Sequence, residues 1–203
     1  MNLVLPDSSG VRIGFLDNGR SMNDEEFFAW CQQNRDLRME RFGDNEVVVM
    51  SPSGLEADFR GAEVARQIAN WSSARGDGFA FGSNAGFTLP DGSVLSPDAG
   101  WVSKERLRGT PLSDRRRFAN VVPELVVEIP SPSDSMAHVR RKMALWVEHG
   151  VRVALLVDAD GRSTEIWRAS GVEMSREATI CLEEFSGLCL ALEAVWRGMS
   201  DLA

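Results

Sequence analysis

The sequence predicts an α/β fold in which helices flank a central mixed β-sheet. Three observations predict it. Strand-like apolar runs alternate with helix-length segments along most of the 203 residues. One run, Leu125 to Ile129, is apolar except for Glu128, as expected of a strand buried in the middle of a sheet. The chain from Leu125 through a helix to Val157 has the order and length of a crossover unit, so its two strands are expected to lie parallel and side by side.

Length and composition set the frame. Residues 1–203 suit one domain, since single domains run to roughly 250 residues before splitting. With 43% apolar and 26% charged residues the chain is not disordered. It has no apolar run near the roughly 20 residues that span a bilayer. Met1 to Leu16 lacks a basic start followed by a long apolar stretch, so no secretory signal is read and a cytoplasmic protein is expected. Cys31, Cys181 and Cys189 are an odd set without metal-ligand spacing, which predicts reduced core thiols. A net charge of −8 excludes a surface that grips nucleic acid everywhere. It leaves room for a local basic groove built from Lys104 to Arg108, Arg115 to Arg117 and Arg140 to Lys142.

The elements follow in order. Ser21 is expected to cap a helix carrying Asp24 and Glu25 in its first turn and ending near Asn34. Leu37 to Phe42 and Glu46 to Met50 flank Gly43-Asp44-Asn45, a hairpin turn. Ser51-Pro52-Ser53-Gly54 stops the second strand and starts a helix to about Ala74. Short strands are expected at Phe79 to Gly82, Gly86 to Leu89 and Val94-Leu95, then at Asp98 to Val102. Ser103 to Asn120 is a polar, basic connection with room for short helices. After Leu125 to Ile129, Ser133 is expected to cap a helix from about Asp134 to Glu148 that Gly150 ends. Val151 to Val157 and Ser163 to Trp167 are strands, and the tail supplies short edge strands and a last helix to Trp196.

Chemistry concentrates at Ser96-Pro97-Asp98-Ala99 and Glu124-Leu125-Val126-Val127-Glu128-Ile129, each of which sets a carboxylate beside or inside an apolar run. A buried carboxylate is costly unless paired, so Glu128 calls for a counter-charge. A metal ion and Lys142 are the two candidates. Alternation puts Glu128 on the face opposite Leu125, Val127 and Ile129. Lys142, Leu145, Trp146 and His149 share helical spacing, so the long stem of Lys142 can reach the sheet. On the earlier helix, Glu56 and Glu63 are one heptad apart at the edge of an apolar face, and Glu63 can point inward.

Together SPSG with Glu56, GFTLPDGSVLSPDAGWV, ELVVEIPSPSD, KMALW with EHGV, and LLVDADG with EIWR resemble the Uma-two family of restriction-endonuclease-like proteins, over roughly residues 26–167. That family is assigned to the PD-(D/E)xK nuclease superfamily, which implies a restriction-endonuclease-like core and metal-dependent phosphodiester hydrolysis. The resemblance implies that Asp98 fills the aspartate of the PD motif, Glu128 the second acidic position and Glu63 the acid on the first core helix. The superfamily lysine is expected two residues after the second acid, where this chain has Pro130. Lys142 matches the family's lysine on the next helix.

The expected activity is hydrolysis of DNA. Asp98, Glu128 and Glu63 would supply oxygens to Mg2+ or Mn2+, and Lys142 would act on water or phosphate. A chain without tyrosine cannot use a phosphotyrosyl intermediate. Pro130 and the acidic charge keep an alternative open, a nuclease fold without activity that binds nucleic acid or protein. Cutting both strands needs two active sites, so a homodimer is expected, with Leu192 and Trp196 as interface residues.

Overall fold

The computed structural model describes residues 11–14, 22–44, 46–50, 52–132 and 134–200. Two compact units emerge, each with its own sheet. The first draws on the described residues of 1–52, 86–96 and 110–121, and the second on those of 53–85, 97–109 and 122–203.

In the first unit, β1 (Val11–Gly14), β2 (Arg38–Arg41), β3 (Glu46–Met50), β5 (Phe87–Thr88) and β6 (Val94–Leu95) form an antiparallel sheet in the order β1-β3-β2-β6-β5. Helix α1 (Asp24–Gln33) starts at Asn23, whose side chain accepts from Glu26 N–H while Glu26 reaches back to the Asn23 N–H. That reciprocal cap satisfies two backbone donors. Phe27 of α1 is buried with Met39, Val47, Val49 and Val94. A single helical turn, α4 (Leu112–Arg115), also belongs here.

The second unit holds the larger sheet, in the order β11-β10-β9-β8-β7-β4. Its strands are β4 (Gly78–Gly82), β7 (Ala99–Ser103), β8 (Leu125–Glu128), β9 (Val153–Asp158), β10 (Ser163–Arg168) and β11 (Gly171–Ser175). Only β8 and β9 run parallel, joined by helix α5 (Met136–Glu148); the other pairs are antiparallel. The sheet is therefore mixed, and the expected crossover is its centre. One face packs on helix α2 (Leu55–Arg75), whose Val64 and Ile68 are buried among Trp101, Leu125, Val127 and Leu155. Trp101 Nε1 donates to Ser72 Oγ of α2 at 2.9 Å. Alternation turns Val126 and Glu128 to the other face, where α5 lies. Gly76, in the left-handed region at φ 69°, ends α2. Short α3 (Lys104–Leu107) follows β7, and β12 (Thr179–Cys181), β13 (Cys189–Ala191) and α6 (Glu193–Arg197) complete the unit.

Several expectations are corrected. The caps are Asn23 and Ser135, while Ser21 and Ser133 lie outside the described residues. Only Cys31 is a free thiol. Cys181 and Cys189 form a disulfide, because the antiparallel register of β12 and β13 sets them directly opposite. Leu192 and Trp196 belong to the hydrophobic core and offer no exposed interface. Among the described residues no helix is long and apolar enough to cross a membrane.

Candidate active site

Glu128 closes β8 at 5% exposure, so its carboxylate is surrounded by protein. Lys142 and Trp146, four residues apart on α5, present adjacent side chains to it. Lys142 Nζ lies 2.9 Å from Oε1 and 3.1 Å from Oε2. Trp146 Nε1–H donates to Oε1 at 3.0 Å. Both α5 residues are themselves buried, so a counter-charge and a neutral donor answer the Glu128 carboxylate. This is the pairing expected of Lys142. The indole bond was not anticipated, although the four-residue spacing from Lys142 carried its signal.

Asp98 precedes β7, which pairs with β8 through Ala99↔Val127. Ala99 and Val127 are the last paired residues at this end, and Asp98 and Glu128 are the next residue beyond each of them. Asp98 Oδ2 accepts from the Ile129 backbone N–H at 2.8 Å, which ties its carboxyl group to the end of β8. The structure thus brings Glu128 and Lys142 together on the α5 face of the sheet and ties Asp98 to the residue that follows Glu128.

Glu63 sits on α2, the helix covering the opposite face, and accepts from Arg66 Nε and Nη2 at 2.8 and 2.6 Å and from Gln67 Nε2 at 3.0 Å. The Arg66 bond holds its carboxyl group below the usual glutamate range against the opposing effect of desolvation. Gln67 in turn brackets the Ala191 backbone of β13. Helical spacing could place Glu63 at the edge of an apolar face, but not say which face of the sheet α2 would cover.

Another acid shares the α5 face. Leu156 of β9 is the register partner of both Glu128 and Glu165 of β10, so the three form one row across the sheet. Glu165 takes Arg140 of α5 at 2.6 Å and Trp167 Nε1 at 3.0 Å. Two acid–base contacts therefore fasten α5 to the sheet. Most of the expected basic clusters are similarly engaged within their own unit. Lys104 donates to the Gly76 carbonyl, and Arg106 to those of Val122, Pro123 and Gly150. Arg117 pairs with Glu25. Among the described residues no group of three or more His, Cys, Asp or Glu is arranged to hold a metal.

Comparison with known proteins agrees with this fold. A family model described as "Putative restriction endonuclease" matches residues 24–200. The crystal structure of a putative nuclease belonging to DUF820 from Anabaena variabilis matches with a TM-score of 0.70 at 19% identity, over 86% of this chain and 97% of that one. At that identity the likeness shows a shared fold. No curated protein matches the chain.

Proposed function

Since the chain belongs to the Uma2 family of putative restriction endonucleases, we propose that it is a metal-dependent endodeoxyribonuclease acting as one domain over residues 1–203. The observation that carries the proposal is the Asp98 carboxylate bonded to the Ile129 N–H, next to the Glu128 carboxylate that Lys142 meets. The donor set suits a hard cation. Asp98 and Glu128 offer oxygen only, and Mg2+ is commonly held by one or two carboxylates with water and substrate phosphate completing its shell. A bound Mg2+ or Mn2+ supplies charge to polarise the phosphate and lowers the pKa of its water. Asp98 and Glu128 would hold the cation. Lys142, the only ammonium described at Glu128, orients the attacking water or answers the charge developing on the phosphate. It does from α5 what a lysine at position 130 would do from the strand. Glu63 is left out of the proposed ligand set because Arg66 and Gln67 engage it on α2.

DNA is the proposed partner, a second copy of the chain the proposed assembly, and the cytoplasm the proposed location, where the exposed Cys181–Cys189 bridge is open to reduction. A nuclease fold without activity is the second reading. Pro130 favours it, as does a Glu128 already bonded to Lys142 and Trp146. Thermal unfolding separates the two. The nuclease reading expects millimolar Mn2+ or Mg2+ to raise the melting temperature of the wild type but not of Asp98→Ala. A wild type indifferent to both ions contradicts it.

A further inference from the structure

We infer that Trp146 is the positioning residue of this site: its indole N–H fixes the Glu128 carboxylate in the orientation that faces a divalent cation, an inference resting on the nuclease reading above. Three observations carry it. The Trp146 ring is fully buried, so its orientation is set by packing. Its Nε1 reaches Glu128 Oε1 at 3.0 Å, within the same hydrogen-bonded cluster as Lys142. The buried Nε1 of Trp196 has no partner among the described residues, so burial alone does not force an indole N–H onto an acceptor in this chain.

The two α5 donors differ in chemistry. Lysine carries a mobile ammonium with three donors on a flexible stem. A phosphate arriving at the site competes for it with Glu128. The indole offers one donor on a rigid ring and cannot follow the phosphate. When Lys142 turns to substrate, the Trp146 bond remains on Glu128 and holds Oε1, leaving Oε2 for the cation. Because the indole is neutral, it orders the carboxylate without neutralising the charge that attracts the metal. Lys142 thus works on water and phosphate, and Trp146 works through Glu128.

The test is Trp146→Phe in the full chain, which keeps an aromatic ring and removes the N–H. Mn2+ affinity is read from free Mn2+ by electron paramagnetic resonance, beside plasmid nicking by both proteins. Loss of an orienting partner weakens metal binding or activity by about 10- to 100-fold. We expect Mn2+ affinity and kcat to fall within that range, with KM for DNA unchanged. A packing role alone lowers the melting temperature and leaves Mn2+ affinity at the wild-type value; that result overturns the inference and spares the nuclease reading. A wild type that neither binds Mn2+ nor nicks DNA overturns both. Should Trp146→Phe fail to fold, the assigned indole N–H resonance of wild-type Trp146 decides. Broadening by substoichiometric Mn2+ and a shift with Mg2+ support the inference, and an indole signal that responds to neither ion overturns it.

Discussion

At Glu128 a carboxylate sits at 5% exposure, and Lys142 answers it from 6% exposure. Removing one member of such a pair strands the other charge, which costs about 3 to 5 kcal/mol. Lys142→Ala is therefore expected to lower stability by that amount in urea unfolding and to abolish cleavage. Mn2+ should restore more stability to this variant than to the wild type, because the cation supplies the missing positive charge. Lys142→Met combined with Glu128→Gln is expected to recover most of the stability and none of the activity. A Lys142→Ala protein that is stable and cuts at the wild-type rate would show the lysine to be wrongly assigned. Sequence made this pairing legible because an acid inside an apolar run needs a partner, and the helical stripe of Leu145, Trp146 and His149 carried Lys142 at its rim. It could not make the Cys181–Cys189 bridge legible, since that depends on the register of two short strands. Titration of unfolded, unreduced protein should find one thiol, and reduction should raise the number to three. In the fold, burial pushes the Cys31 thiol up to about 11, so the neutral form is favoured. Its contribution to stability is present below the unfolded value of 9.0 and is lost as pH rises through about 11. Cys31, half-buried, should accordingly react slowly with thiol reagents at neutral pH, and rapid labelling of the native protein would contradict the raised thiol.

Among elements, β8, α5 and β9 were the most legible, because an apolar run, a helical stripe and a second apolar run leave one right-handed way to bring two parallel strands together. Helix starts shifted by two residues, from Ser21 to Asn23 and from Ser133 to Ser135, because several small polar residues precede each helix and any can cap. The face that α2 covers was not legible. It is set by contacts far apart in sequence, chiefly Val64 and Ile68 against Leu125 and Leu155, with Ser72 bonded to Trp101. The edge strand β4 approaches that tryptophan so closely that a Cβ on Gly78 would come within 2.2 Å of the Trp101 ring. Gly78→Ala is therefore expected to cost about 1 to 3 kcal/mol as an overpacking change. Urea unfolding of Gly78→Ala at wild-type stability would show that the ring can move aside.

For the molecule as a whole, sequence patterns gave the mixed α/β class and the family, but not the division into two units, because the first unit is assembled from three stretches of chain separated by parts of the second. Nor did they identify what is exposed: Leu192 and Trp196 look like surface apolar residues near the end of a chain, yet fill the core beside α2. The expected homodimer now rests on the need for two sites to cut two strands. Light scattering at micromolar concentration should report twice the chain mass, and a monomer in the presence of metal and duplex DNA would contradict it. The central claim, that Asp98 and Glu128 work with Lys142 as a metal-dependent nuclease centre, is tested most directly by nicking of supercoiled plasmid in Mn2+, with Asp98→Ala prepared and assayed in parallel. The account predicts conversion to open-circular and linear DNA by the wild type, abolished by chelation and by the substitution. Equal conversion by both proteins, or none by a wild type that has bound Mn2+, would contradict it.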